Sequence, residues 1–283
     1  MSTSITSTTG AVNNPAITSK QVIEVRDANL GFSGTVSNTY RDEAGVGTTI
    51  RWGLVTNPNS GAARVKTEGN DQAITYDANT ESAVTLTINQ HYYSAFELEE
   101  FEASLSTIDQ QMYYSRRAAY VVNLAVDDAL AALMDNFTQT VGTLIVDLTD
   151  DDIRRGVQYL DDANAPKDGR CFAMSPATKN SMLAIERYAS SDFNRGGGAN
   201  LITAAFGKIY DLMTWDSTNV EGTNAAGHDN GIYQRDAIAL GMRMQPRTRT
   251  HDDIDDLSTQ YAISTIYGVI ETRDDHGVWA KGA

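Results

Sequence analysis

At 283 residues and 30.8 kDa the chain is long enough for about two domains or one large composite one. Hydrophobic residues make up 41% and charged residues 21%, which excludes a collagen, a disulfide mini-protein and a lipid-embedded bundle. With 37 Asp and Glu against 22 Lys and Arg, the net charge is −15, and a surface that acidic argues against a general DNA- or RNA-coating function.

The single cysteine, Cys171, allows no intramolecular disulfide and no cysteine-based zinc site, so a reducing cytoplasm suits the chain. No run approaches the 18 or so apolar residues that cross a bilayer, and the first 20 residues lack a signal-like apolar block. The expectation is a soluble, unexported protein.

Met1 to Lys20 holds nine Ser or Thr residues and no periodic apolar pattern, so it reads as an arm. Val22, Ile23 and Val25 suggest a short strand over Gln21 to Asp27, after which Gly31, Gly34, Gly45 and Gly47 interrupt the chain up to Thr48. This stretch is expected to have no core of its own. Two strand-like runs follow, Thr49 to Val55 and Ala83 to Asn89, separated by a polar Gly/Asn/Asp segment. They predict a long β-hairpin that needs another surface to lie on, since two paired strands alone are marginal in water.

The strongest periodic signal runs through Ile108, Met112, Ala119, Val122, Val126, Ala129, Leu133 and Phe137. It predicts one helix of about 30 residues and roughly 45 Å, with Thr107 and Gln110 as a capping box. Asp109, Arg116, Arg117, Asp127 and Asp128 are assigned to its solvated face.

Beyond it the texture changes to short alternating elements. Thr149 is expected to cap a helix through Ile153, Val157 and Leu160, with Asp150, Asp151 and Asp152 placed against its N-terminal dipole. Cys171 to Met174 reads as a buried strand, and Ser175 and Pro176 as the N-cap and first residue of a helix reaching about Tyr188. Asp192 to Gly198 is a glycine-rich loop. Strands are expected at Ile209 to Trp215, Ala237 to Met244 and Tyr261 to Glu271, the last returning to pack beside the long helix.

Motifs for chemistry are sparse. HExxH, GxSxG and the phosphate-loop pattern are missing from the sequence, and Gly196-Gly197-Gly198 has no strand running into it. Cys171 sits in an apolar strand, where a thiol behaves as a small hydrophobe. His91, His228, His251 and His276 have no second ligand at metal spacing. Asp252, Asp253, Asp255 and Asp256 form the best cation candidate, yet they lack the invariant Gly and terminal Glu of an EF-hand loop. Arg243, Arg247 and Arg249 precede them and are expected to form ion pairs within or between subunits. The sequence therefore predicts no catalytic residue, no cofactor and no metal site.

The order of elements, together with Tyr113 to Leu130 (YYSRRAAYVVNLAVDDAL), Cys171 to Phe193 (CFAMSPATKNSMLAIERYASSDF) and Phe206 to Val220 (FGKIYDLMTWDSTNV), resembles the major capsid protein of tailed bacteriophages with the Hong Kong 97 fold. Within that family it looks most like the coat proteins of short-tailed phages. The resemblance implies an α+β fold with an N-terminal arm at 1–47, an extended β-hairpin or E-loop at 48–96, a P-domain with the spine helix at 97–139 and 246–283, and a mixed α/β A-domain at 140–245.

It also implies a structural, non-enzymatic subunit that self-assembles through hexamers and pentamers into the icosahedral shell enclosing a double-stranded DNA genome. Assembly would take place in the host cytoplasm with a portal and a separate scaffolding protein. Packaged DNA would be touched weakly and non-specifically, and no membrane would be involved. Some family members cross-link through a Lys and an Asn; Lys66 lies in the presumed hairpin, but no matching motif carries that chemistry over. The alternatives are an encapsulin-type nanocompartment shell enclosing cargo enzymes and, more remotely, a metal-dependent hydrolase using the Asp252–Asp256 or Asp150 cluster. A virion adhesin or tail component is a further option.

From the residues alone, arm and hairpin cannot offset their ordering cost by burial within one chain, and are expected to become ordered on neighbouring copies.

Overall fold

The computed structural model describes residues 27–28, 30–37, 47–55, 63–66, 76, 81–106, 109–189 and 207–283. The arm Met1 to Lys20, the expected strand through Val22, Ile23 and Val25, and the glycine loop from Asp192 to Gly198 lie outside these residues.

In chain order, α1 (Phe32–Thr35) precedes β1 (Thr49–Val55), β2 (Glu81–Thr87), β3 (Gln90–Glu99), α2 (Glu100–Leu105) and the long helix α3 (Gln110–Ala131). Then come β4 (Thr140–Gly142), α4 (Asp150–Asp162), β5 (Arg170–Met174), α5 (Pro176–Leu183), α6 (Glu186–Ala189), β6 (Lys208–Ile209), β7 (Leu212–Asp216) and β8 (Gly222–Thr223). β9 (Gly227–Gln234), β10 (Ile238–Asp253), β11 (Ser258–Glu271) and β12 (Gly277–Gly282) follow. The strands form a two-stranded β1-β2 sheet, a three-stranded β10-β11-β3 sheet, and a seven-stranded sheet ordered β4-β12-β9-β5-β7-β6 with β8 on β9.

The seven-stranded sheet is covered on both faces, and β5 makes the reason visible. Every residue of Arg170–Met174 is buried, and the strand period of two divides them. Cys171 and Ala173 enter one core with Phe32, Met134, Phe137 and Tyr233. Phe172 and Met174 enter the other with Ile153, Leu160, Met182 and Ile232. α4 starts at the expected Thr149, in a full capping box with Asp152, and α5 starts at Ser175 with Pro176 in its first turn. The expected helix to Tyr188 breaks into α5 and α6.

The expected strand at Ile209 to Trp215 is a tight hairpin of β6 and β7. Tyr210 and Asp211 take φ of 48° and 67°, the paired positive values that a two-residue primed turn requires.

Two strands of the lobe sheet carry no sequence signal of their own. β9 (GHDNGIYQ) is polar and glycine-containing, yet it lies inside the sheet between β12 and β5. A Cβ at Gly231 would stand 2.2 Å from the Met134 sulfur, and one at Gly277 of β12 would stand 2.0 Å from the Phe137 ring. These strands lack side chains where the turn after α3 presses on them. Because β12 pairs with β4 and β9, the expected segment 246–283 divides: β11 returns to the long helix, and residues 277–282 join the lobe sheet.

The long helix is shorter than its periodicity predicts. Asp109 caps it, accepting from the Met112 N–H at 3.0 Å, in place of the expected Thr107–Gln110 box; Thr107 and Ile108 lie outside the described residues. Its 22 residues make a rod of about 33 Å, and the apolar period then continues through a 3₁₀ turn, Met134–Asn136, to a buried but extended Phe137. Ala118, Val122, Val126 and Leu130 form the buried face. Against it stand Ile263 and the stacked rings of Phe96 and Tyr261, 4.9 Å apart, while the Tyr267 hydroxyl donates to the Ala125 carbonyl at 2.8 Å.

Candidate assembly surfaces

β1 and β2 pair in an unbroken antiparallel register from Thr49↔Thr87 to Val55↔Glu81. The base of this hairpin crosses β10 and β11 where two glycines face each other, Gly241↔Gly268. A Cβ on Gly241 would meet Leu86 at 2.4 Å and one on Gly268 would meet the Thr87 carbonyl at 2.3 Å, so the paired glycines make the flat seat on which β2 rests. Leu86 is fully buried there, and the Arg243 guanidinium donates to the Gly47 carbonyl at 2.6 Å.

Further out, the support stops. Trp52 pairs with Val84 and is half-buried, Leu54 is exposed, and Val65 and Tyr76 are 90% and 88% exposed. An apolar face on a two-stranded ribbon that the described residues anchor at its base is a surface in need of a partner. The expected hairpin 48–96 ends earlier than its boundary: β3, which begins at Gln90, pairs with β11.

The segment before the hairpin corrects an expectation. Residues 30–37 belong to the arm that is expected to gain its order on neighbouring copies, yet Phe32 and Val36 are fully buried in the core of their own chain. The run FSGTV closes one helical turn, which sets Phe32 and Val36 on one side, and Phe32 meets the Trp215 ring edge-on at 4.6 Å. Ser37 then bridges to β10 through Ser37 N–H to the Ile238 carbonyl and Leu240 N–H to the Ser37 carbonyl, both 3.1 Å.

Asp127 holds this strap to α3. It was assigned to the solvated helix face, but it is 1% exposed. Its carboxylate accepts from the Ser33 N–H at 3.3 Å and the Asn219 amide at 3.2 Å. Burial pushes its pKa up, and hydrogen bonds from Ser33 and Asn219 offset part of the rise.

The candidate chemical groups resolve as structural ones. Asp150 accepts from the Tyr188 hydroxyl, from Tyr210 at 2.7 Å and from Arg187 at 2.5 Å, with Arg154 at 3.2 Å. Burial alone would raise its pKa, but the two tyrosine hydroxyls and then Arg187 and Arg154 carry it below the usual carboxylate range. Asp151 pairs with Arg154, and Asp152 is occupied by the Thr149 cap. All three carboxylates are therefore already engaged. Burial pushes the Cys171 thiol up, which suits a small core residue and not a nucleophile.

His228 and His276 are buried far from His91 and His251 on the surface, and burial pushes His276 down. Among the described residues no group of three His, Cys, Asp or Glu side chains is placed to hold a metal ion, and no helix is long and apolar enough to cross a membrane.

No protein-family model matches the sequence, and no curated protein sequence matches it. Solved structures do. A structure from Mycobacterium phage Che8 superposes with a TM-score of 0.82 at 20% identity, covering 94% of this chain and 96% of that one. The capsid structure of cyanophage P-SCSP1u gives 0.76 at 12% identity, with 97% and 94% covered. The mature capsid of bacteriophage PhiM1 gives 0.73 at 14%, with 95% and 91% covered. The chain has the fold of a phage capsid protein.

This capsid fold bears out the expected mixed α and β class and the order of elements that suggested it. It also gives context to a feature the charge reading only half identified. β10 and β11 form a tongue whose tip, Asp252 to Leu257, carries four carboxylates around an exposed Ile254 and Leu257. Asp252 accepts from Thr259 and Asp253 from Gln260 and the Asp255 N–H. Among the described residues none of these carboxylates pairs with Arg243, Arg247 or Arg249, so the expected intrachain ion pairing does not occur.

Proposed function

We propose that the chain is the major capsid protein of a tailed phage, a structural subunit that builds the shell around a double-stranded DNA genome. The observation that carries this reading is the β1–β2 hairpin, seated at its base on Gly241 and Gly268 and bearing apolar side chains that remain exposed among the described residues. A second copy supplies that cover, and repetition through symmetry turns weak single contacts into a closed shell. The end-to-end likeness to phage capsid subunits supports the same reading.

Within it, residues 1–47 serve as the arm, 48–89 as the E-loop, 90–139 and 246–276 as the P-domain, and 140–245 with the last strand, 277–282, as the A-domain. The working location is the virion, after assembly in the host cytoplasm with a portal and a separate scaffolding protein. The charge of −15 fits weak, non-specific contact with DNA that must be packed and ejected. Electron microscopy of particles purified from producing cells, with nuclease digestion of their contents, tests this directly: closed particles protecting double-stranded DNA are expected. A compact monomer at high concentration, or particles filled only with cargo protein, would overturn it. Deleting residues 61–77 should leave a soluble, helical monomer that does not close.

A further inference from the structure

The strap over residues 30–37 is closed on α3 by a cap that it cannot supply itself. Gly31 stands at the N-cap of α1 and has no side chain with which to cap it. A Cβ there would lie 2.7 Å from the Trp215 ring, so no Ser, Thr, Asp or Asn fits in its place without moving that ring. The cap comes from α3. Asp127, 94 residues further along the chain, accepts from the Ser33 N–H at 3.3 Å, and the Phe32 and Gly31 N–H groups favour its charge as well.

Asp127 is a costly anchor. It is buried, and its bonds from Ser33 and Asn219, at 3.3 and 3.2 Å, come from neutral donors at the long end of the normal range. Among the described residues no Lys, Arg or His side chain pairs with it. Asp150 shows the contrast, with Arg154 and Arg187 beside two tyrosine hydroxyls. A buried carboxylate without a cation is disfavoured in its charged form, and at Asp127 that penalty arises while the strap covers it.

Other ionisable groups around the strap are few. Residues 30–37 carry none. Tyr233 faces Asp127 from β9 and bonds the Thr35 hydroxyl at 2.6 Å, and Cys171 lies near it on β5. Burial pushes both above their ordinary ranges, so both stay neutral. The Arg235 guanidinium donates to the Val36 carbonyl at 3.3 Å, and Arg117 of α3 pairs with Asp27 ahead of the strap.

We infer that the strap is a proton-linked clasp, which closes most firmly on a protonated Asp127 and loosens when that carboxyl group is charged. This is a property of the single subunit, beyond the shell-forming reading and independent of it. The sign follows from burial. Covering Asp127 raises its pKa above the ordinary carboxylate value, because desolvation outweighs the hydrogen bonds that favour the charge. Closure is therefore at full strength below the ordinary carboxylate range and weakens as pH rises through the raised value. A subunit so built holds residues 30–37 to α3 in acid and yields them more readily toward neutral pH.

Hydrogen exchange of the full-length chain between pH 4 and pH 8, corrected for the intrinsic pH dependence of amide exchange, tests the clasp. Protection of residues 30–37 relative to β5 should fall in wild type by about tenfold across that range, the factor that one unit of pKa displacement carries. Asp127→Asn keeps the shape and cannot ionise, so its protection should stay flat and exceed wild type at pH 8. Asp27→Asn, which removes the neighbouring carboxylate, should keep the wild-type profile. A flat wild-type profile, or an Asp127→Asn profile that falls like wild type, would overturn the clasp. Carbon-13 NMR titration of the wild-type carboxyl groups needs no variant: Asp127 should titrate above the usual carboxylate range, and titration at or below it would also overturn the clasp. Either result leaves the shell-forming reading untouched.

Discussion

In the lobe, Asp150, Asp151 and Asp152 lie within reach of Arg154, Arg187, Tyr188, Tyr210 and the Thr149 cap, and the seven-stranded sheet behind them is covered on both faces. On the tongue and hairpin, Asp252, Asp253, Asp255 and Asp256 meet no cation among the described residues, and Leu54, Val65, Tyr76, Ile254 and Leu257 stand in solvent. The two regions differ in that the lobe satisfies its groups by itself, whereas the hairpin and tongue leave groups without partners among the described residues. A self-sufficient lobe sets the fold, and an unsatisfied periphery sets the association.

Substitutions in the two regions should therefore separate stability from assembly. The largest stability effect is expected at Phe172, fully buried between α4 and the sheet. Phe172→Ala should cost about 3–5 kcal/mol in denaturant unfolding, because a cavity remains in a core closed on every side. Next comes Asp127, where Asp127→Ala removes the acceptor from the Ser33 N–H and the Asn219 amide. A loss of about 1–3 kcal/mol is expected, with faster hydrogen exchange confined to residues 30–37. Unchanged exchange there would mean the strap is held by Phe32 and Val36 alone.

Much of the self-sufficient part was legible in the sequence because its signals are local. Thr149 with Asp152, Ser175 with Pro176, and the CFAM strand are each decided by neighbours a few residues away. What escaped depends on distant partners. β9 and β12 carry no strand signal because Gly231 and Gly277 make room for Met134 and Phe137, contacts about a hundred residues away or more. Asp127 reads as solvated because charge at that helical position ordinarily is; only the strap, folded back from residue 33, encloses it. The tongue's acidic and basic runs were both visible, and without the Gly and Glu of an EF-hand loop the acidic one reads as the solvated turn it is; that its carboxylates pair with no arginine among the described residues was not visible.

The junction between the regions gives a smaller, pH-dependent effect. Burial first, and then the neighbouring Asp274 carboxylate, pushes Glu271 up to about 7. Asp274 in turn accepts from the Thr138 N–H at 2.7 Å, in the segment that leads from α3 to β4. A carboxyl group whose pKa is raised by folding favours the folded state while protonated. Its contribution is intact below about 4.5 and is lost as pH rises toward about 7. Glu271→Gln cannot ionise, so its unfolding free energy should gain on wild type between pH 5 and pH 8, by an amount on the order of 1 kcal/mol after solvent screening. A constant difference across that range would place the titrating group elsewhere.

The smallest stability effect is expected where the largest assembly effect lies. Leu54 is exposed on the outer part of the hairpin, beyond the seat at Gly241 and Gly268. Leu54→Ser should leave the unfolding free energy of the monomer within about 0.5 kcal/mol of wild type, as surface substitutions generally do. The same change places a hydroxyl on the face that a neighbouring copy must cover, so the particle fraction should fall. If the monomer were destabilised as much as by Phe172→Ala, the hairpin would be packing on its own subunit, and the division between lobe and periphery would fail at the point where it is most exposed to test.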